Sequence, residues 1–123
     1  MRKKKNSLIK SFYHAFVGIG ENLRRERNLK IHFFMMFLVV ILGILLEICV
    51  AEWIVCFLLF GSVISSELMN TAIEGVVDIY VKEIDEEARV VKDTAAGAVL
   101  ITAIIAIIVG LLIFVPKILD FIS

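Results

Sequence analysis

The feature that most constrains this chain is an apolar run at residues 94–116, which contains no charged side chain. As an α-helix this run would be roughly 35 Å long, and the hydrocarbon core of a bilayer is about 30 Å thick. Two further apolar segments precede it, and 60% of the 123 residues are hydrophobic. So small a chain cannot bury that much apolar surface in a soluble core. The sequence therefore predicts an integral membrane protein.

We predict an all-α fold with one membrane domain over residues 1–123. Transmembrane helices are expected at about residues 31–50, 53–78 and 92–116, after an amphipathic surface helix at residues 1–29. The first two spans are joined by a short turn that contains Glu47 and Glu52, and the last two by a longer polar loop. This arrangement predicts a multi-pass protein of the cell membrane.

The segment before the first span is basic and amphipathic. Lys and Arg in the first thirty residues outnumber Asp and Glu by nine to two. Because Lys and Arg near spans favour the cytoplasmic side, we place the amino terminus and the second loop in the cytoplasm. The segment is then expected to lie in the headgroup layer, as a membrane anchor, as a gate for lipid access, or as both. Its apolar side chains recur at steps of three and four: Leu8, Phe12, Phe16, Ile19 and Leu23.

The second predicted span carries a polar stripe. Glu67, Asn70, Glu74 and Asp78 are spaced so that they project from one side of a helix. An ionised carboxylate at membrane depth costs roughly 2.5–3.5 kcal/mol even on the gentler insertion scales, so each needs a cation, a proton or a polar partner. The stripe therefore predicts a functional site, although polar contacts that only hold helices together would also satisfy it.

The chemistry of this stripe favours a divalent cation. Mg²⁺ prefers carboxylate oxygens and usually shares its remaining positions with water and phosphates. Glu26 and Glu74 would meet at one depth if the first two spans pack as antiparallel neighbours, and Lys92 and Asp93 open the third span at that level. Carboxylates, an amide and a lysine beside a lipid surface suit phosphoryl transfer, and Glu67 is left as a candidate base.

The sequence contains neither G-x-x-x-x-G-K-[ST] nor G-x-G-x-x-G, so any nucleotide site must be of another kind. Three segments together resemble the prokaryotic diacylglycerol kinase family of small trimeric membrane kinases. These are ERNLKIH at residues 26–32, ELMNTAIEGVVD at residues 67–78 and KDTAAGAVLI at residues 92–101. The resemblance covers nearly the whole chain.

The resemblance implies a set of site residues. Glu67 matches the family's base, Asn70 its active-site asparagine, and Glu26 and Glu74 its metal-binding glutamates, so Mg²⁺ is the expected cofactor. The positions of the family's tyrosine and arginine that contact ATP fall at His14 and Ser7, so Tyr13 and Lys10 are the residues expected to supply these contacts. The nucleotide-binding residues implied are Glu26, Glu74, Asp78, Glu83, Lys92, Asp93, His14, Tyr13 and Lys10.

The resemblance also implies partners. We expect ATP, a lipid alcohol and the membrane, no nucleic acid, and a homotrimer with its sites between subunits. Thr102, Ala106 and Gly110, at four-residue steps, offer the close helix packing that such an assembly needs.

The ERN-x-x-IH signature resembles the Gram-positive branch of the family, whose members look like undecaprenol kinases. Residue chemistry alone does not separate undecaprenol from diacylglycerol as the acceptor. Two other classes stay open from the residues: a proton- or cation-coupled transport protein that uses Glu67 and Glu74, and a structural membrane subunit. No inverted repeat or interrupted helix supports transport.

Overall fold

A computed structural model describes residues 7–123 as a set of helices with short connections. Residues 1–6, which include the basic residues Arg2 to Lys5 of the predicted surface helix, lie outside this range. The helices within residues 7–123 are α1 (Leu8–Arg25), α2 (Arg27–Leu45), α3 (Val50–Tyr80) and α4 (Glu86–Ile122). The all-α prediction is confirmed.

Three of the helices in the described part of the chain, α2, α3 and α4, are long and apolar enough to cross a membrane. They contain 19, 31 and 37 residues. Most of their large apolar side chains are exposed at the surface of the single chain. Since such a surface is unfavourable in water, this exposure fits a chain whose solvent is lipid. Residues 7–123 therefore contain three candidate spans, the number that the sequence predicts.

Glu26 is the junction between α1 and α2. Its backbone is extended (φ −104°, ψ 120°), so it ends one helix and begins the next. At the other end of α1, the side chain of Ser7 caps the helix by accepting a hydrogen bond from the backbone N–H of Lys10. Helix α1 contacts both α2 and α3. This junction therefore holds Glu26 beside the other two helices.

The turn between α2 and α3 is a Schellman motif. The N–H of Ile48 donates to the carbonyl of Gly43 at 3.1 Å, and the N–H of Glu47 donates to that of Ile44 at 3.3 Å. Glu47 adopts the left-handed conformation that this motif requires (φ 54°). The side chain of Glu52 then accepts from the backbone N–H of Cys49 and caps the start of α3. Local hydrogen bonds thus close the hairpin that the sequence predicts.

An apolar cluster packs beside this turn. Ile48, Cys56 and Phe114 are its buried members, so it joins the turn to α3 and α4. Gly43 lies against the ring of Trp53. A Cβ atom on this glycine would be only 2.7 Å from Trp53 Cη2, so the position has no room for a larger residue. We call this region, with the turn at residues 46–49, the hairpin end of the molecule.

The connection between α3 and α4 is shorter than the predicted polar loop. It consists of residues 81–85, while the charged residues that follow are helical. Asp85 caps α4 by accepting a hydrogen bond from the N–H of Ala88, and Glu86 and Glu87 lie in the first turn, where acidic side chains favour a helix. Arg89 pairs with Asp93 one turn later. A helix cap and local ion pairs explain why this polar sequence is not a loop.

Candidate functional site

The polar stripe of α3 turns from the interior to the surface along the helix. Glu67 and Asn70 are buried, with 2% and 8% of their surfaces exposed. Glu74 is half-buried, and Asp78, near the end of the helix, is exposed. The two deep members therefore face neighbouring helices, as a polar stripe in a membrane helix must.

The carboxylate of Glu67 lies between α2 and α3. Among residues 7–123, His32 on α2 supplies the one basic side chain within 4.0 Å, with its Nε2 atom 3.9 Å from Glu67 Oε1. Next to Glu67, Ser66 shares a hydrogen bond of 3.1 Å with Thr102 on α4. Hence the three long helices meet at the level of Glu67. His32 was not assigned a role from the sequence, although it ends the ERNLKIH segment.

Asn70 contains an unpaired buried acceptor. Its Oδ1 atom has no hydrogen-bond partner among the described residues. Leaving such an atom unpaired costs about 1–3 kcal/mol, so native proteins seldom tolerate one without a use for it. An acceptor in this position, one turn from Glu67, is suited to a donor that arrives with a substrate.

The predicted metal ligands converge on the same region. The carboxylates of Glu26 and Glu74 are near enough to Glu67 to act on it electrostatically. Within the described part of the chain, no three His, Cys, Asp or Glu side chains form a group that could hold a metal ion alone. Two carboxylates nevertheless fit Mg²⁺, which takes few protein ligands when phosphates complete its coordination. The residues present suit a metal that binds together with a nucleotide.

The far end of α3 forms a cleft with α4. Lys92 Nζ lies 2.9 Å from Asp78 Oδ1 and bridges the two helices. The cleft has a volume of about 410 Å³, and its lining includes four of the predicted nucleotide-binding residues. These are Asp78, Glu83, Lys92 and Asp93. The structure therefore brings together residues from α3, from the connection after it and from α4.

The remaining predicted nucleotide contacts lie elsewhere. Lys10, Tyr13 and His14 are exposed on α1, and the lining of the cleft does not include them. Tyr13 and His14 contact each other edge to face, with ring centroids 5.5 Å apart. These three side chains therefore do not line the cleft within a single chain.

The small-residue row of α4 has two different environments. Thr102 faces α3 within the chain through its hydrogen bond with Ser66. Among the described residues, a Cβ atom at Gly110 would meet nothing within 4 Å. Close packing at Gly110 is therefore not used inside one subunit.

We call the region that contains Glu26, His32, Glu67, Asn70 and Glu74, with the adjacent cleft, the carboxylate end of the molecule. Its chemistry combines a buried carboxylate, a buried amide and a shallower pair of carboxylates. A buried base and a cation site at different depths suit the transfer of a charged group from a soluble donor to a lipid acceptor.

Comparison with known proteins agrees with this chemistry. Residues 13–114 match the family described as "Prokaryotic diacylglycerol kinase". The chain is 47% identical to an undecaprenol kinase from Bacillus subtilis (strain 168) over 94% of each protein. It is also 38% identical to a diacylglycerol kinase from Synechocystis sp. over 93% of its own length and 66% of that relative. Because both relatives are kinases, the comparison favours lipid phosphorylation over a transport protein or a structural membrane subunit. The chain belongs to the prokaryotic diacylglycerol kinase family, and it is a membrane lipid kinase.

Proposed function

We propose that this chain phosphorylates undecaprenol with ATP and Mg²⁺ at the cytoplasmic face of the membrane. The observation that carries the choice of acceptor is the 47% identity to an undecaprenol kinase over 94% of both chains. The diacylglycerol kinase relative is less similar and only partly covered. Both acceptors are lipid alcohols, so the reaction is the same for either.

In this proposal Glu67 is the general base. It accepts the proton of the lipid hydroxyl while the hydroxyl oxygen bonds to the γ-phosphorus of ATP. The bond from that phosphorus to the β–γ bridging oxygen breaks, and ADP leaves with this oxygen. The burial of Glu67 fits its role, because the acceptor arrives from the bilayer, away from water. Asn70 would position the acceptor or a phosphate through its amide.

Glu26 and Glu74 are the residues that would hold Mg²⁺. When bound, the ion would neutralise the phosphate charges and align them for transfer. Lys92 lies near Glu74 and Asp78 at the mouth of the adjacent cleft and would bind phosphate oxygens of the nucleotide.

We further propose a homotrimer with α1 in the cytoplasmic headgroup layer. Within one chain, Lys10, Tyr13 and His14 lie apart from the cleft, and a neighbouring subunit would bring an equivalent α1 to it. The exposed apolar side chains of α2 and α4 offer surface for such packing. Mass measurement of the protein in detergent tests the oligomeric state.

The proposed orientation places residues 81–85 in the cytoplasm with the ATP. An Asp85→Cys variant that lacks Cys49 and Cys56 should react with an impermeant thiol reagent only after the cells are opened. Labelling in intact cells would reverse the orientation and contradict a site that uses cytoplasmic ATP.

Turnover in detergent micelles tests the reaction. The purified protein should form ADP from ATP only when both Mg²⁺ and a lipid alcohol are present, and undecaprenol should give the higher kcat/KM. A higher kcat/KM for diacylglycerol would overturn the acceptor while leaving the kinase reaction intact. ATP turnover that is independent of either lipid would contradict the proposal as a whole.

A further inference from the structure

The family assignment does not explain the histidine beside the buried carboxylate. His32 is the sixth residue of α2, and its imidazole points toward α3, where its Nε2 atom lies 3.9 Å from Glu67 Oε1. The imidazole side chain is 21% exposed, whereas that of Glu67 is 3% exposed. A partly exposed imidazole therefore covers one side of an otherwise enclosed carboxylate.

A buried carboxylate needs a hydrogen-bond donor to keep a fixed orientation. In the described residues, the other groups that act electrostatically on Glu67 are the carboxylates of Glu26 and Glu74, which repel it. His32 is its one basic neighbour within 4.0 Å. In the tautomer that carries the proton on Nε2, the imidazole donates toward Oε1, and a movement of about 1 Å gives an ordinary hydrogen bond. Catalytic hydrogen bonds are often this long before substrates bind.

We propose that His32 is a positioning residue that orients the Glu67 carboxylate toward the lipid hydroxyl. The imidazole holds Oε1, so the other oxygen, Oε2, is directed to the proton that it must accept. Without the imidazole, repulsion from Glu26 and Glu74 would turn the Glu67 carboxylate away from them. This proposal rests on Glu67 being the base, and it adds a residue of α2 to a site built on α3.

Three substitutions at one position test the role of the Nε2 atom. His32→Gln places an amide nitrogen near the position of Nε2, His32→Asn places one near Nδ1, and His32→Leu supplies no donor. We expect His32→Leu and His32→Asn to lower kcat by roughly tenfold to a hundredfold, the effect of losing a hydrogen bond to a charged group. KM for ATP should stay unchanged, and His32→Gln should keep most of the activity.

A double-mutant cycle separates positioning from packing. Because His32 acts through Glu67, His32→Leu should cause no further loss in the residual turnover of Glu67→Gln. Met36→Ala, one turn further along α2 and partly buried, is the matched packing control. Its effect on turnover should be the same in both backgrounds.

Each outcome decides the proposal. Normal kcat in His32→Leu, or equal losses in His32→Gln and His32→Leu together with lower thermal stability, would overturn the positioning role while leaving Glu67 as the base. Near-normal turnover in Glu67→Gln would overturn the base itself, and the positioning role with it. The positioning role is supported if, of the three variants, only His32→Gln keeps most of the activity and His32→Leu causes no additional loss of turnover in the Glu67→Gln background.

Discussion

The two ends of the helix bundle differ in what they bury: apolar side chains at one end and polar side chains at the other. At the hairpin end, apolar side chains pack around Trp53, and the turn pairs its backbone groups through a Schellman motif. At the carboxylate end, Glu67 is buried beside a histidine at 3.9 Å, and the Asn70 Oδ1 atom has no hydrogen-bond partner within residues 7–123. One end is arranged for stability. The other buries a carboxylate and an amide at an energetic cost, which is typical of a functional site.

The largest expected effect comes from the proposed metal ligands. Glu74→Gln removes a negative charge while keeping the shape of the side chain, so it should abolish metal-dependent ATP binding without unfolding the protein. Calorimetric titration with Mg-ATP measures the loss. Glu47→Gln, at the exposed turn of the hairpin end, is the matched control and should bind Mg-ATP normally. Normal binding by Glu74→Gln would remove this residue from the metal site.

The next effect separates a base from a metal ligand. Glu67→Gln should retain Mg-ATP affinity and assembly, but its turnover should fall by roughly a hundredfold to ten-thousandfold, because only proton acceptance is lost. Calorimetry and the micelle assay on the same preparation measure both quantities. If the variant no longer assembles, Glu67 serves to join helices; if turnover stays near normal, another group accepts the proton.

The fold follows from the sequence where local physics decides it. The uncharged run at residues 94–116 predicts a span, and the polar stripe of α3 predicts a helix with one inward face. The loop before α4 was predicted too long, because the capping role of Asp85 and the Arg89–Asp93 pair stabilise a helix in a polar segment. Hydropathy reports where a membrane can be crossed, and it does not report where a helix ends.

The site follows from the sequence only in part. The spacing of Glu67 and Asn70 on one helix is visible in the sequence, but the approach of His32 depends on how α2 packs against α3. The same is true of Asp78 and Lys92, which two helices and a connecting loop bring to 2.9 Å. Lys10, Tyr13 and His14 do not line the cleft within one chain, so their place in the nucleotide site stays a prediction that rests on the proposed trimer.

A smaller effect is expected at the hairpin end. Gly43→Ala would place a methyl group 2.7 Å from the stiff ring of Trp53, and such overpacking costs about 1–3 kcal/mol. The free energy of unfolding in mixed detergent should fall, while turnover at low temperature should stay normal. Gly61→Ala on α3 is the control, because its new methyl group would meet nothing within 4 Å in the described part of the chain. Equal effects of the two substitutions would show that the contact with Trp53 is unimportant.

The smallest effects are expected from two ion pairs that join α3 to α4, one at each end of the bundle. Lys92 lies 2.9 Å from Asp78 at the carboxylate end, and Lys117 lies 3.4 Å from Glu52 at the hairpin end. The side chains of these two pairs keep 26–66% of their surfaces exposed. Ion pairs that stay open to solvent add little to stability, so Lys92→Met and Lys117→Met should both change the unfolding midpoint less than Gly43→Ala does.

The two variants should differ in function rather than in stability. Lys92→Met removes a cation from the proposed nucleotide cleft and should raise KM for ATP, while Lys117→Met should leave kcat and KM unchanged. The comparison isolates the effect of position, because the same Lys→Met substitution is made in two ion pairs that join the same two helices. If both variants raised KM equally, the α3–α4 contact as a whole would set nucleotide affinity. If neither did, Lys92 would bind only Asp78, and the division of the molecule into a stable end and a reactive end would not extend to this cleft.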